Sequence, residues 1–399
     1  MRHGRLPKIG VVTHSLEEGG GVATIACFLY DVLRRSGCYD PEVISLATSS
    51  TDACSVRVTA PTTWVRGPQV RHGEFGTVPY RHVGAILGEL EFQRYKSRRL
   101  LNDILARYDL IQFVAGTSPI ALAASEMSAP RLLWVASTVR ADRKSRVSTA
   151  PLARRYWSEL MTRAAEAAEI AALKRSSYVF ALSDYTRCAI KPWVDPANLG
   201  TAFCGIDTRL YRPGRRANRD YILCVGRLDD PRKNVALLLR AYAELRKSGQ
   251  RVPVLYLVGN VSRRAILNSI REYGLQDNVV IQGRMTNLEL AEIYRNARLV
   301  VLSSDEEGLG MVLVEAMASG VPVVSTDCGG PASLIRHGVN GLLVPVGDAK
   351  ALAEAMRTVL ENPRRAAAMG DAGRQMAEQK LSIHAAGKVF LDKYSEILN

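Results

Sequence analysis

No Cys-x-x-Cys pair occurs among the seven cysteines, which stand at 27, 38, 54, 188, 204, 224 and 328. An odd number at wide spacing excludes a disulfide framework and a zinc ribbon, and it reads as reduced, buried thiols. No uninterrupted apolar stretch approaches the ~18 residues of a membrane span. The first apolar run, Ile9–Val12, is too short for the core of a secretory leader, so a cytoplasmic protein is expected. Low-complexity tracts and short-period repeats are missing as well, which excludes a fibrous or wholly disordered chain.

What is present is a chain of 399 residues, 47% hydrophobic and 23% charged. That length suits two domains better than one core. The net charge is +14. Residues 1–210 hold 27 basic against 19 acidic residues, or +8, and 211–399 hold 26 against 20, or +6. The excess is therefore spread along the chain. It favours anionic partners such as phosphates, nucleotides or anionic lipid. Nucleic acid is disfavoured, because the cations are dispersed and no known motif interleaves them with aromatics.

Short apolar runs alternate with helical patterns from end to end. Lys8–Thr13 is rich in β-branched residues, a cluster Gly19-Gly20-Gly21 follows, and Val22–Arg35 then places Ile25, Leu29, Val32 and Leu33 on one side. Further strands are expected at Glu42–Leu46, Asp109–Val114, Arg131–Ala136 and Tyr178–Leu182, with helices at Glu89–Arg107 and Leu152–Lys174. The second half repeats the plan. Strands are expected at Tyr221–Val225, Val254–Val258, Val279–Gln282, Leu299–Leu302, Val321–Ser325 and Gly341–Val344. This alternation predicts an α/β protein of two Rossmann-like doubly wound domains. The expected bounds are 1–207 and 208–382, with a terminal helix 383–399 packing back on the first domain through Val389, Phe390, Tyr394 and Ile397.

Two stretches carry chemistry. Ser303 to Val324 reads as strand end, acidic glycine loop, helix, glycine stop and next strand. A helix starting near Gly310 and Met311 leaves backbone N–H groups aimed beyond the strand ends, which suits a phosphate. Gly308 and Gly310 admit a ligand without a Cβ clash. Glu315, one turn in, is a good acceptor for two vicinal hydroxyls, and Glu307 lies at the loop's mouth. The second stretch is Val225 to Asn234, again between strand and helix, where Arg227 and Lys233 offer a planar fork and a mobile point charge to a diphosphate.

These residues resemble the donor-site signature of retaining glycosyltransferases of family 4, the glycogen-synthase-like group 1. The resemblance rests on Glu307 and Glu315 with seven residues between them, the Glu-Ala-Met-Ala-Ser-Gly-Val-Pro run and Asp327-Cys328-Gly329-Gly330. It continues through Asn340 to Val344, Gly226-Arg227-Leu228 with Lys233-Asn234, and Gly205-Ile206-Asp207 leading to Tyr211-Arg212-Pro213-Gly214. It is dense over 205–347 and thinner before. It implies the glycosyltransferase-B fold, with two domains facing a cleft and a nucleotide-diphosphate sugar, preferably a UDP-sugar, held by the second. Glu315 would bind ribose. Arg227 and Lys233 would bind the diphosphate, helped by backbone near Leu309, Met311 and Val312. Glu307 with Gly308–Gly310 would hold the sugar, the base would lie on Gly283-Arg284-Met285, and Gly20-Gly21 would approach the phosphates. No strict Asp-x-Asp occurs, so no cofactor and no obligatory metal are expected, although Asp305 and Glu307 have the spacing for one.

The histidine that such enzymes often carry after the strand resembling Leu132–Ala136 is replaced here by Ser137-Thr138-Val139-Arg140. Acceptor-side candidates are His14, Ser137, Arg140 and Arg143. The basic run Arg140, Arg143, Lys144, Arg146, Arg154 and Arg155, extended by Arg94, Lys96, Arg98 and Arg99, suits an anionic acceptor, an anionic membrane or a solvated face. The acceptor would be a glycan, a lipid-linked molecule or a small metabolite. The competing functions are a sugar-nucleotide epimerase, a phosphorylase and a non-catalytic sensor. The first lacks added acid–base groups and the second a recognisable cofactor lysine, while intact Glu307, Glu315, Arg227 and Lys233 argue against the third.

Overall fold

The structure is a computed structural model that describes residues 5–18, 20–49, 51–124, 127–147, 152–214, 220–247, 251–260 and 263–399. Gly19 and the side chains of Lys144, Arg146, Arg154 and Arg155 lie outside what it describes. The chain forms two compact units, Met1–Cys204 with Ala386–Asn399, and Gly205–Ala385.

The first unit is built on β1 (Lys8–His14), β2 (Asp40–Leu46), β3 (Val70–Phe75), β4 (Val78–Val83), β5 (Leu110–Ala115), β6 (Arg131–Val135), β7 (Tyr178–Ala181) and β8 (Leu199–Thr201). Their order is β3-β4-β2-β1-β5-β6-β7-β8, parallel except for the β3–β4 hairpin. All six residues of β5 are buried, as expected of a strand covered by helices on both faces. Four of the five residues of the strand expected at Glu42–Leu46 are buried in the same way, whereas β3 does not follow the rule. It is an edge strand with no buried residue, so it shows no apolar signal and escapes sequence reading.

The helix expected over Glu89–Arg107 is instead two short ones, Glu91–Arg94 and Arg99–Leu105. The break turns Arg98 inward. Its side chain is buried, donates to the carbonyls of Ala47 and Arg94 (both 3.3 Å), and is pushed down to about 10 by burial first. The exposed basic face expected there is therefore lost at Arg98. The thiols differ from expectation too. All seven cysteines are free, but Cys38 and Cys188 are exposed and Cys27 is half-buried.

The terminal helix Ile383–Leu398 buries Ala386, Gly387, Phe390 and Tyr394, while Val389 is exposed, so the expected stripe is rotated. Phe390 packs on Trp134 and Phe180 at ring separations of 4.5 and 4.6 Å. Tyr394 donates to Gln112 Oε1 at 2.8 Å. These aromatic contacts add roughly 0.5–1.5 kcal/mol each beyond area burial.

The second unit carries β9 (Tyr221–Arg227), β10 (Val254–Asn260), β11 (Val279–Gln282), β12 (Ala297–Leu302), β13 (Val323–Thr326) and β14 (Leu342–Val344). The order is β11-β10-β9-β12-β13-β14 and every pair is parallel. Its core gathers Leu223, Leu238, Tyr242, Leu257, Leu299 and Met356, each with no exposed surface. Among the described residues no helix is long and apolar enough to cross a membrane.

Candidate functional site

Strand order in the second sheet reverses between β9 and β12. Loops leaving the carboxyl ends of two such strands diverge and open a crevice, the usual ligand site of this topology. After β9 the chain runs Leu228–Asn234 into helix Val235–Arg246, and after β12 it runs Ser303–Gly310 into helix Met311–Ala318. Those are the two stretches that the sequence marked.

The loops are stitched together by side chains about 70 positions apart. Lys233 Nζ pairs with Glu307 Oε1, which also accepts from Ser304 Oγ at 2.8 Å. Arg232 lies between Asp230 at 2.8 Å and Glu306 at 3.2 Å. Asn234 Nδ2 donates to Asp305 Oδ1 at 2.8 Å, and the Asp305 amide donates to the Arg232 carbonyl at 2.8 Å. Asn234 itself sits at φ 44° in the left-handed region and caps its helix by accepting from the Leu237 amide at 3.1 Å. Asparagine tolerates that conformation better than most residues, and it supplies the cap. Burial alone would raise the Asp230 carboxyl, but the Arg232 hydrogen bonds and charge, joined by Arg227, outweigh it and hold it at about 2.

Lys233 and Glu307 are both largely buried, at 18% and 13% side-chain exposure, whereas Arg227 is 58% exposed and 3.4 Å from Asp230. A buried, paired cation thus lies within the crevice and an exposed one on its rim. Gly310, at φ 90°, precedes helix Met311–Ala318. Gly330 closes the acidic loop from behind. Its amide donates to the Glu307 carbonyl at 2.8 Å, and a Cβ there would lie 2.4 Å from the Leu309 nitrogen. Gly330→Ala is therefore expected to cost about 1–3 kcal/mol as overpacking. Urea unfolding of the purified variant measures it.

Glu315 projects from that helix and accepts from the Tyr294 hydroxyl at 2.7 Å. Burial pushes its carboxyl up to about 7, against the lowering effect of the Tyr294 hydrogen bond. Tyr294 has no exposed surface and packs edge-on against Tyr211, with ring centres 6.0 Å apart. Gly283, Arg284 and Met285 follow β11, the first two exposed and the third half-buried. Leu309 is buried and Met311 and Val312 are half-buried.

The remaining sequence-predicted residues belong to the first unit. His14 ends β1, and its ring is pushed down to about 4 by burial and then by Arg94, partly opposed by Asp142, so it is neutral at pH 7. Gly20 at φ 92° precedes helix Gly21–Ser36. The Ser137 amide donates to the Gly116 carbonyl at 2.8 Å. Arg140 is bidentate to Glu166 at 2.5 and 2.7 Å, and Arg143 is half-buried.

Sequence reasoning missed Arg232, Ser304, Tyr294 and Glu169. Glu169 is buried and accepts from the Val139 amide at 3.1 Å, holding the start of helix Val139–Val147, and burial pushes its carboxyl up to about 7. None had a local signal except Arg232, whose place beside Lys233 in a strand-to-helix loop marks it as a neighbour of the site.

Comparison with known proteins agrees with this topology. The fold is the glycosyltransferase-B fold. Sucrose-phosphate synthase of Thermosynechococcus elongatus is similar with a TM-score of 0.75 at 22% identity, covering 98% of this chain and 99% of that one. HepE of Anabaena, solved in complex with UDP, follows at 0.69 and 19%, covering 98% and 100%. The chain resembles family 4 glycosyltransferases, and residues 210–376 match the family Glycosyl transferases group 1. Among curated proteins, the MMP alpha-(1->4)-mannosyltransferase of Mycolicibacterium hassiacum is 30% identical over 268 residues, 65% of this chain and 63% of that protein. Over the other similar relatives the match spans 40–50% of their length.

Proposed function

We propose that this protein is a retaining glycosyltransferase that moves a sugar from a nucleotide-diphosphate sugar, preferably a UDP-sugar, to an acceptor hydroxyl. The observation that carries this function is the Lys233–Glu307 pair beside the N-terminus of helix Met311–Ala318. A fixed cation and unpaired backbone amides meet a carboxylate there, at the switch point of the sheet.

In the reaction, the anomeric C–O bond breaks and its electron pair leaves with the diphosphate. The acceptor oxygen bonds to the same face of the sugar, and its proton passes to the departing phosphate oxygen. Arg227, Lys233 and the amides near Met311 and Val312 stabilise the developing negative charge as preorganised electrostatics. Glu315 accepts the ribose hydroxyls, and Glu307 with Gly308 to Gly310 orients the sugar. The base rests on Gly283, Arg284 and Met285. The histidine missing after β6 is not required when the leaving phosphate takes the proton.

No obligatory metal is proposed. This is supported by the engagement of Asp305 with Asn234 and of Glu307 with Lys233 and Ser304. UDP is supported by the UDP complex of HepE, whereas a GDP-mannose-dependent relative keeps GDP in the test. The acceptor is a glycan, a lipid-linked molecule or a small metabolite. His14, Ser137, Arg140 and Arg143 are proposed on its side, with Arg140 acting as half of an ion pair.

Calorimetric titration with UDP, GDP and their sugar conjugates, each with EDTA and with magnesium, tests this function. Micromolar binding of one nucleotide, unchanged by EDTA, is expected. Binding of neither nucleotide overturns the donor site, and binding lost in EDTA overturns metal independence.

A further inference from the structure

The first unit carries an apolar tip that the glycosyl-transfer chemistry does not use. From Ala53 to Gly73 the chain holds Arg57, Arg66, Arg71 and His72 and no aspartate or glutamate. In its middle the five-residue helix Thr62–Arg66 exposes Trp64 at 58% and Val65 at 96%. Val58, Ile86 and Leu90 are exposed beside it. Short bonds hold these segments together. Trp64 Nε1 donates to the Arg57 carbonyl at 2.7 Å, the Val58 amide donates to Glu89 at 3.1 Å, and Val56 bridges Ile86.

Three features point to one partner. The indole N–H is already satisfied by its own backbone, so the Trp64 ring can enter an apolar medium without stranding a donor. Arg57 and Arg66 have no carboxylate within ion-pair distance among the described residues, so two cations flank the tip unneutralised; Arg71 pairs with Glu17. The exposed apolar groups Trp64, Val65, Val58, Ile86 and Leu90 also lie on segments that are bonded to one another, so they can enter one boundary together. Tryptophan with flanking arginines and small aliphatics is the composition of a membrane-interface anchor.

We propose that the tip formed by Trp64, Val65, Val58 and Ile86, flanked by Arg57 and Arg66, docks this protein on an anionic lipid bilayer. The aliphatic and indole groups enter the headgroup boundary and the two guanidinium groups meet lipid phosphates. This surface is independent of the donor crevice, and its test does not rest on the function proposed above.

The full chain is mixed with vesicles of phosphatidylcholine alone and with vesicles of equal parts phosphatidylcholine and phosphatidylglycerol. Sedimentation is read beside nucleotide binding, which reports an intact second unit. Binding is expected only on the anionic vesicles and weakens with added salt. Trp64→Ser with Val65→Ser is expected to weaken it by roughly tenfold for each buried side chain, and Arg57→Gln with Arg66→Gln weakens it while leaving the circular dichroism spectrum unchanged. No binding to anionic vesicles overturns the proposal. So does binding that survives the Trp64 and Val65 changes, which would be general attraction to a chain of net charge +14. A dimer that dissociates on the same changes also overturns it, by making a second copy the occupant.

Discussion

Lys233→Ala is expected to lower turnover by roughly 10²–10³-fold, the usual cost of removing one preorganised group that stabilises transition-state charge. Donor KM should change much less, because in the proposed site Arg227 and the helix amides would still hold the ground-state diphosphate. The substitution also strands Glu307, which keeps only Ser304 as a hydrogen-bond donor among the described side chains. A double-mutant cycle with Glu307→Gln separates the two effects. If Lys233 acts only by restraining Glu307, the double variant should be no worse than Glu307→Gln alone. If it acts on the leaving phosphate, the double variant should be worse. Steady-state kinetics with the donor identified by titration give the answer, and unchanged turnover in Lys233→Ala removes this residue from the mechanism.

Glu315→Gln is expected to weaken nucleotide binding by roughly 10- to 100-fold at pH 8, since hydrogen bonds to a charged acceptor contribute about 1.5–3 kcal/mol. The pH dependence gives the sharper result. Burial raises the folded carboxyl to about 7, above its ordinary value. The proton is therefore held more tightly in the folded, empty protein than in the unfolded chain. Binding that uses the carboxylate as acceptor strengthens as pH rises through about 7 and levels off above it. Below that point affinity falls by up to about tenfold per pH unit. Glu315→Gln should flatten this limb, leaving only the titration of the nucleotide phosphate. Calorimetry from pH 5.5 to 8.5 reads both proteins, and a wild-type limb identical to that of the variant excludes Glu315 as the acceptor.

The same linkage predicts an opposite effect on stability. The Glu315 proton favours the fold fully below the ordinary carboxyl range. That contribution, on the order of 3 kcal/mol, is lost as pH rises toward 7. A neutral amide of the same shape keeps an acceptor for Tyr294 and carries no buried charge. Glu315→Gln should thus melt higher than wild type at pH 8 and close to it near pH 4. Lower stability at pH 8 would mean that the carboxylate is compensated by groups other than Tyr294. A site that is more stable without its functional carboxylate is one whose charge is held for binding and not for folding.

The arrangement of the crevice explains why the two effects differ in kind. Lys233 is fixed by Glu307, and Glu307 by Ser304, so this charge is oriented before substrate arrives. Arg227 is on the rim, and among the described residues Asp230 is its one ion-pair partner, so its larger exposure would let it follow a ligand. Fixed charge contributes to the transition state without reorganisation, and mobile charge contributes more to capture.

How far these features could be read from sequence varies with their physics. Strands buried on both faces, such as β5 and β13, announce themselves as apolar runs because every residue meets a hydrophobic layer. The edge strand β3 has no buried residue and left no pattern. Helix Leu152–Lys174 was legible to its ends because its period is unbroken. Glu89–Arg107 was not, because the break that buries Arg98 depends on contacts with Ala47 and Arg94.

The sequence by itself determined the strands of the second unit, five of the eight in the first, and the two loops that carry Arg227, Lys233, Glu307 and Glu315. Local patterns are enough for that, since burial period, glycine and charge are written within a dozen residues. Only the tertiary structure decided which of those groups is already engaged. Lys233 and Glu307 lie 74 positions apart, and Glu315 and Tyr294 lie 21 apart. Their pairing follows from the adjacency of β9 and β12 and from the packing of two helices, and their charge states follow from burial, which no local pattern records.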